Sequence, residues 1–136
     1  LKSLPPSRSQ ASGRKPPDPA VRELGAQRYE RHCADCHGAA GEGARNVAGV
    51  TLVPPLAGNR VVTMEPPANL IRVIVHGGFL PATAGNPRPF GMPPYGLVLT
   101  DEEVAAIASY LRTSWGAEAG GVSAQDVARF RGGAGD

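Results

Sequence analysis

The chain has 136 residues, 41% of them hydrophobic and only 5% aromatic, with 18 Gly and 14 Pro, which is material for one small domain with irregular flanks and excludes two. Three Phe, three Tyr and one Trp are thin filling for a domain of this size, and folds so supplied usually rely on a disulfide, a metal or another staple. A formal charge of +2 with no basic run interleaved with aromatics excludes a nucleic-acid groove, and the longest apolar stretch, around residues 70–75, falls far short of the roughly 20 residues that span a bilayer.

Residues 1–17 are dense in Pro, Ser and basic side chains, as in Pro5-Pro6-Ser7-Arg8-Ser9 and Arg14-Lys15-Pro16-Pro17, the composition of an extended or disordered linker. Leu1-Lys2-Ser3 echoes Leu111-Arg112-Thr113, so the chain is expected to open on the last turn of a preceding, similar domain. No apolar signal run and no initial Met are present there, and an export signal is expected to have been removed upstream.

A first helix is predicted to start near Asp18, with Asp18 as its cap and Pro19 at the first helical position. It should run through Val21, Leu24, Gly25 and Tyr29 to the cysteines, with Gly25 and Tyr29 on one face. Residues 38–60 are rich in Gly and lack a sustained period, which reads as a loop. A second helix is predicted over residues 67–76, where Leu70, Ile71, Ile74 and Val75 make an apolar stripe that Gly77-Gly78 ends. Residues 79–96 are again a loop, because five prolines forbid helix interior and central strand alike. Thr100 and Glu103 form a capping box that opens a helix through Val104, Ile107, Ala108 and Leu111. Residues 116–136 are expected to be a loosely attached tail, with a short helix possible over residues 123–131. Nothing alternates at strand period, so the predicted fold is all-α with long loops around residues 18–115.

The only two cysteines lie in Cys33-Ala34-Asp35-Cys36-His37, the spacing that attaches a c-type haem. Two thiols three positions apart can each add to a haem vinyl group, and the adjacent imidazole then reaches the iron. A zinc site would need four ligands and a redox dithiol a βαβ setting, and neither context is present. His32, just before the motif, reads as a surface histidine. For the second axial position the chain offers Met92, in Phe90-Gly91-Met92-Pro93-Pro94-Tyr95-Gly96 where prolines stiffen the backbone, ahead of Met64 and His76. One covalent haem c is therefore expected.

With a Gly25/Tyr29 helix before the attachment motif, Pro54-Pro55-Leu56-Ala57-Gly58 after a Gly-rich loop, and Gly91-Met92-Pro93-Pro94-Tyr95 before a capped last helix, residues 18–115 resemble a class I cytochrome c. The resemblance implies three main helices, the first and last crossing so that Gly25 and Tyr29 meet Ile107, Tyr110 or Leu111. It also implies that the Pro54 carbonyl orients His37, and that Leu56, Leu70, Ile74 and Tyr95 line the haem pocket.

His76-Gly77-Gly78, residues 81–87 and Tyr110 through Trp115 are similar to the last haem domain of the multihaem cytochrome subunits of bacterial membrane-bound alcohol, aldehyde and sugar-acid dehydrogenases, and to domains found with nicotinate-type molybdenum hydroxylases. That resemblance implies electron transfer rather than bond-making chemistry. It further implies a dehydrogenase subunit as donor and a quinone, another cytochrome or a terminal oxidase as acceptor, on the periplasmic side, with membrane association only through a larger complex. A haem enzyme or haem sensor with an open or displaceable sixth ligand is the alternative.

Overall fold

The computed structural model describes residues 14–79 and 91–132. In chain order these form α1 (Pro19–His32), α2 (Ala34–His37), β1 (Ala44–Arg45), β2 (Thr51–Val53), α3 (Arg60–Thr63), α4 (Ala68–His76), β3 (Gly78–Phe79), β4 (Gly91–Met92), α5 (Asp101–Arg112) and α6 (Ala124–Phe130). The echo at Leu1 and the prolines of residues 80–90 lie outside the described residues.

Helix α5 is the centre of the molecule. Val104, Ala105, Ala106, Ile107, Ala108, Ser109, Leu111 and Arg112 are all buried along it, because α1, α4 and α6 pack around it. Its start is the predicted capping box: the Thr100 side chain accepts from the Glu103 amide at 3.1 Å and the Glu103 carboxylate accepts from the Thr100 amide at 2.8 Å.

Helix α1 starts at Pro19 as predicted, but the Asp18 side chain makes no capping bond; Asp18 serves through its carbonyl, which accepts from the Arg22 amide at 3.0 Å. Only Gly25 and Tyr29 are buried on α1, so one narrow seam docks it. Gly25 lies against Ala106 and Tyr110 of α5, and the Tyr29 ring packs 5.5 Å from that of Tyr110 and 5.7 Å from that of Trp115. The crossing of the first and last main helices is present, made with Ala106 and the aromatic pair. Helix α4 puts Leu70, Ile71, Ile74 and Val75 into the core and ends at Gly77, whose φ of 75° suits a residue without a Cβ.

The fold is mostly helical, as expected, with two short strand pairs added: β1 pairs antiparallel with β2, Ala44 facing Val53, and β3 with β4, Gly78 facing Met92. Segments of two or three residues are too short to show alternation in a sequence. Residues 117–132 are not loosely attached. Ser109 on α5 donates to the Val122 carbonyl and accepts from its amide, Arg112 donates to the carbonyls of Ala119 and Gly120, and Val122 and Val127 join the core. The end of the predicted linker is docked too, since Arg14 pairs with Glu65 at 2.9 Å and Asp126 at 2.8 Å, and the Gly121 amide donates to the Lys15 carbonyl.

Candidate functional site

A cavity of about 290 Å³ opens where the short elements meet the helices. The end of α1 and α2 bring His32, Cys33, Cys36 and His37 to it, the stretch after β2 brings Pro54 and Leu56, and α3 and α4 bring Val61, Val62, Leu70, Val73 and Ile74. Gly78 of β3, then Met92, Pro93 and Tyr95 line it as well, as do Ile107 and Leu111 of α5. All the residues nominated from the sequence, Cys33, Cys36, His37, Pro54, Leu56, Leu70, Ile74, Met92 and Tyr95, therefore share one wall system.

The chain reaches this geometry through local causes. Cys33 caps α2 and its carbonyl accepts from the His37 amide at 2.9 Å, so a single helical turn sets Cys36 and His37. Tyr29 fixes the turn that follows by donating to the Gly38 carbonyl at 2.6 Å. The Nδ1 atom of His37 lies 3.2 Å from the Pro54 carbonyl; a carbonyl only accepts, so Nδ1 carries the proton and Nε2 keeps its lone pair. Burial lowers the imidazole's pKa, the Pro54 bond opposing it, which favours the neutral form a metal requires. The Tyr95 amide donates to the Ile74 carbonyl at 3.1 Å and its hydroxyl donates to the His32 carbonyl at 3.0 Å. Tyr95 thereby ties the stretch after Met92 to both α4 and the end of α1.

The two alternatives for the cysteine pair fare poorly. Burial, with Cys36 nearby, pushes the Cys33 thiol up to about 11, whereas an attacking redox thiol is lowered. Among the described residues no group of three or more His, Cys, Asp and Glu is placed to hold a metal ion, as a zinc site would demand. The donor set instead fits a haem: two thiols and an imidazole on one turn, a thioether lining the same cavity, and apolar walls around them.

Met64 is 43% exposed, accepts a bond from Asn69 and lies off the cavity. His76 is exposed, with Nε2 2.6 Å from the Arg131 carbonyl. His32 needs correction: it is half-buried, lines the cavity and packs its ring 5.5 Å from that of Tyr95. Its place one residue before the motif carries no hint of this. Val73, Ile107 and Leu111 were missed as wall residues; Ile107 and Leu111 belong to an apolar stripe visible in the sequence, whereas Val73 lies off the stripe of its helix and is exposed.

The family model described as Cytochrome c matches residues 22–115. The chain belongs to the cytochrome c family. Covalently bound haem c comes with that membership. Over 142 residues this cytochrome c domain is 38% identical to the "Alcohol dehydrogenase (quinone), cytochrome c subunit" of Komagataeibacter europaeus, covering 96% of this chain and 29% of that protein. It is 39% identical over 108 residues to the protein of the same description from Gluconobacter oxydans, covering 79% of this chain and 22% of that one. It is 38% identical over 111 residues to the "Gluconate 2-dehydrogenase cytochrome c subunit" of Pantoea cypripedii, covering 80% of this chain and 24% of that protein. The cytochrome c domain thus spans less than a third of the length of these relatives. All three are named as cytochrome c subunits of dehydrogenases. Among the described residues no helix is long and apolar enough to cross a membrane.

Proposed function

We propose that this cytochrome c domain takes a single haem, which Cys33 and Cys36 would hold through thioether bonds and whose iron His37 and Met92 would ligate. It passes single electrons from a dehydrogenase subunit towards a quinone, another cytochrome or a terminal oxidase, on the periplasmic side of the membrane. The observation that carries the assignment is the meeting, around one apolar cavity, of the thiol pair, an imidazole oriented by Pro54 and the Met92 thioether. Two cysteines in the whole chain provide for one attachment.

A bound haem supplies a one-electron iron couple, whose potential a Met/His ligand pair raises. The chain's own residues do the rest. Cys33 and Cys36 prevent dissociation. The Pro54 carbonyl keeps His37 in one tautomer and one orientation, which strengthens it as a donor. Leu56, Leu70, Ile74, Ile107 and Leu111 exclude water, and their packing limits the rearrangement that accompanies a change of charge. Cys36, Val61, Val73 and Pro93 line the cavity yet are exposed, and this open side is where an electron would enter and leave. The names of the relatives support a dehydrogenase donor.

The test compares Met92→Ala with Met64→Ala in the loaded protein. Met92→Ala should abolish the weak far-red band of the ferric sulfur-iron bond, lower the reduction potential and let carbon monoxide bind the ferrous protein stoichiometrically. Met64→Ala should leave all three unchanged. A Met92→Ala variant with the wild-type potential would overturn the ligand assignment, and rapid carbon monoxide binding by the wild type would favour an open-site enzyme or sensor.

A further inference from the structure

The segment after residue 115 lies beyond the family match and returns over the end of α4. Arg72 on α4 donates from Nε to the carbonyls of Phe130 at 3.0 Å and Gly132 at 3.1 Å, and the Arg131 carbonyl lies 2.6 Å from Nε2 of His76, the last residue of α4. Two side chains thus fix residues 130–132 to one helix. From that anchorage Arg131 reaches the other way: Nη2 donates to the Gly96 carbonyl at 3.1 Å and Nη1 pairs with Asp101 at the start of α5.

The stretch between these anchor points carries Met92. At its near end Gly77, next after His76, is packed so closely that a Cβ there would fall 2.3 Å from the Met92 carbonyl oxygen. At its far end Gly96 donates to the Val75 carbonyl at 3.0 Å, and a Cβ on it would fall 2.9 Å from Val75 Cγ1 and 3.3 Å from Arg131 Nη2. Both ends of the Met92 stretch are held to the end of α4, and at the Gly96 end Arg131 adds a second hold through the Gly96 carbonyl.

We propose that Arg131 is a positioning residue for Met92, and that the C-terminal segment is a clamp that keeps the thioether on the iron against competing ligands. The proposal rests on the axial assignment of Met92 made above. A thioether is a weak ligand of ferric iron, so retention depends on how rarely its backbone swings away. Loosening the stretch raises the fraction of protein with an open site, and the apparent affinity for any small competitor rises in proportion.

Imidazole titration of the ferric, loaded protein reads that fraction. Arg131→Gln should keep the far-red band in the absence of imidazole and bind imidazole roughly 10-fold more tightly than the wild type. Arg129→Gln, which removes an equal charge from an exposed neighbour, should titrate as the wild type does. Arg72→Gln, which frees Phe130 and Gly132 without touching Gly96 or Asp101, should shift in the same direction and serves if Arg131→Gln does not fold. Met92→Ala should bind most tightly, and adding Arg131→Gln to it should change nothing further. A lowered denaturant midpoint with unchanged imidazole affinity in Arg131→Gln and Arg72→Gln would reduce the clamp to ordinary stabilisation and overturn the proposal. A wild type without the far-red band would instead overturn the Met92 assignment, and the clamp with it.

Discussion

At Gly25 the largest tolerable substituent is hydrogen. A Cβ built there lies 2.0 Å from the Ala106 carbonyl oxygen and 2.8 Å from Tyr110 Cβ, and neither atom is the end of a flexible side chain. Gly25→Val must therefore push α1 away from α5. Overpacking of this kind typically costs ~1–3 kcal/mol, and the backbone contact places this case at the upper end. The denaturant midpoint of the loaded protein should fall accordingly, and a midpoint equal to the wild type would show that the crossing is not tight. Periodicity puts Gly25 on one face with Tyr29, and that this face meets the last main helix is what the resemblance to a class I cytochrome c implies. Cys33, Cys36 and His37 were legible for a simpler reason, since their geometry is set within one turn. The rim position of His32 was not, because it is set by the Tyr95 ring and hydroxyl arriving from a distant part of the chain.

Helices that announce themselves do so through their ends. Both α5 and α6 open on a capping box, Thr100 with Glu103 and Ser123 with Asp126, and both starts were visible in the sequence. What could not be read was that α6 is packed into the core, because the residues that receive its approach, Ser109 and Arg112, are polar and read as surface positions. The capping carboxylates make the two helices acid-sensitive. Glu103 is held below its ordinary pKa by the Thr100 amide first and by Arg28 after it. At Asp126 burial works upward, but the Ser123 amide and the Arg14 guanidinium outweigh it and leave the group lowered. A carboxylate with a folded pKa below its unfolded one contributes stability that is complete above the unfolded value and is lost as pH falls through the folded one. Denaturant midpoints measured from about pH 7 down to about pH 3 should decline steeply at the acid end. Glu103→Gln and Asp126→Asn should flatten that decline while lowering the plateau at neutral pH. A double variant with the wild-type acid limb would place the acid sensitivity elsewhere.

Over the whole molecule, the residue that decides whether the parts unfold together is Arg112. Its side chain has no exposed surface, and it donates to the carbonyls of Val62 at 3.2 Å, Met64 at 2.6 Å, Ala119 at 2.8 Å and Gly120 at 3.2 Å. Glu65 stands 3.4 Å from its Nη2 and is shared with Arg14, which also holds Asp126. One guanidinium thus joins the stretch before α4, the end of α5 and the approach to α6. Burial lowers its pKa and the Glu65 charge opposes this, yet an arginine stays protonated under such conditions. Arg112→Met fills a similar volume but strands buried carbonyls and removes the charge facing Glu65. Glu65 is partly exposed and keeps Arg14, so the cost falls on the stranded carbonyls, about 1–3 kcal/mol for each that stays buried without a donor, and it is spread over three segments at once. Unfolding followed by haem absorbance, which reports the cavity, and by far-ultraviolet circular dichroism, which reports the helices, should shift to lower denaturant by the same amount in this variant. Arg112→Lys should recover only part of the loss, because an ammonium cannot reach carbonyls on both sides of α5 in the planar fan a guanidinium provides. If the C-terminal segment were a separate unit, Arg112→Met would release it to proteolysis and leave the haem-monitored transition where it was, and the molecule would have two cooperative parts rather than one.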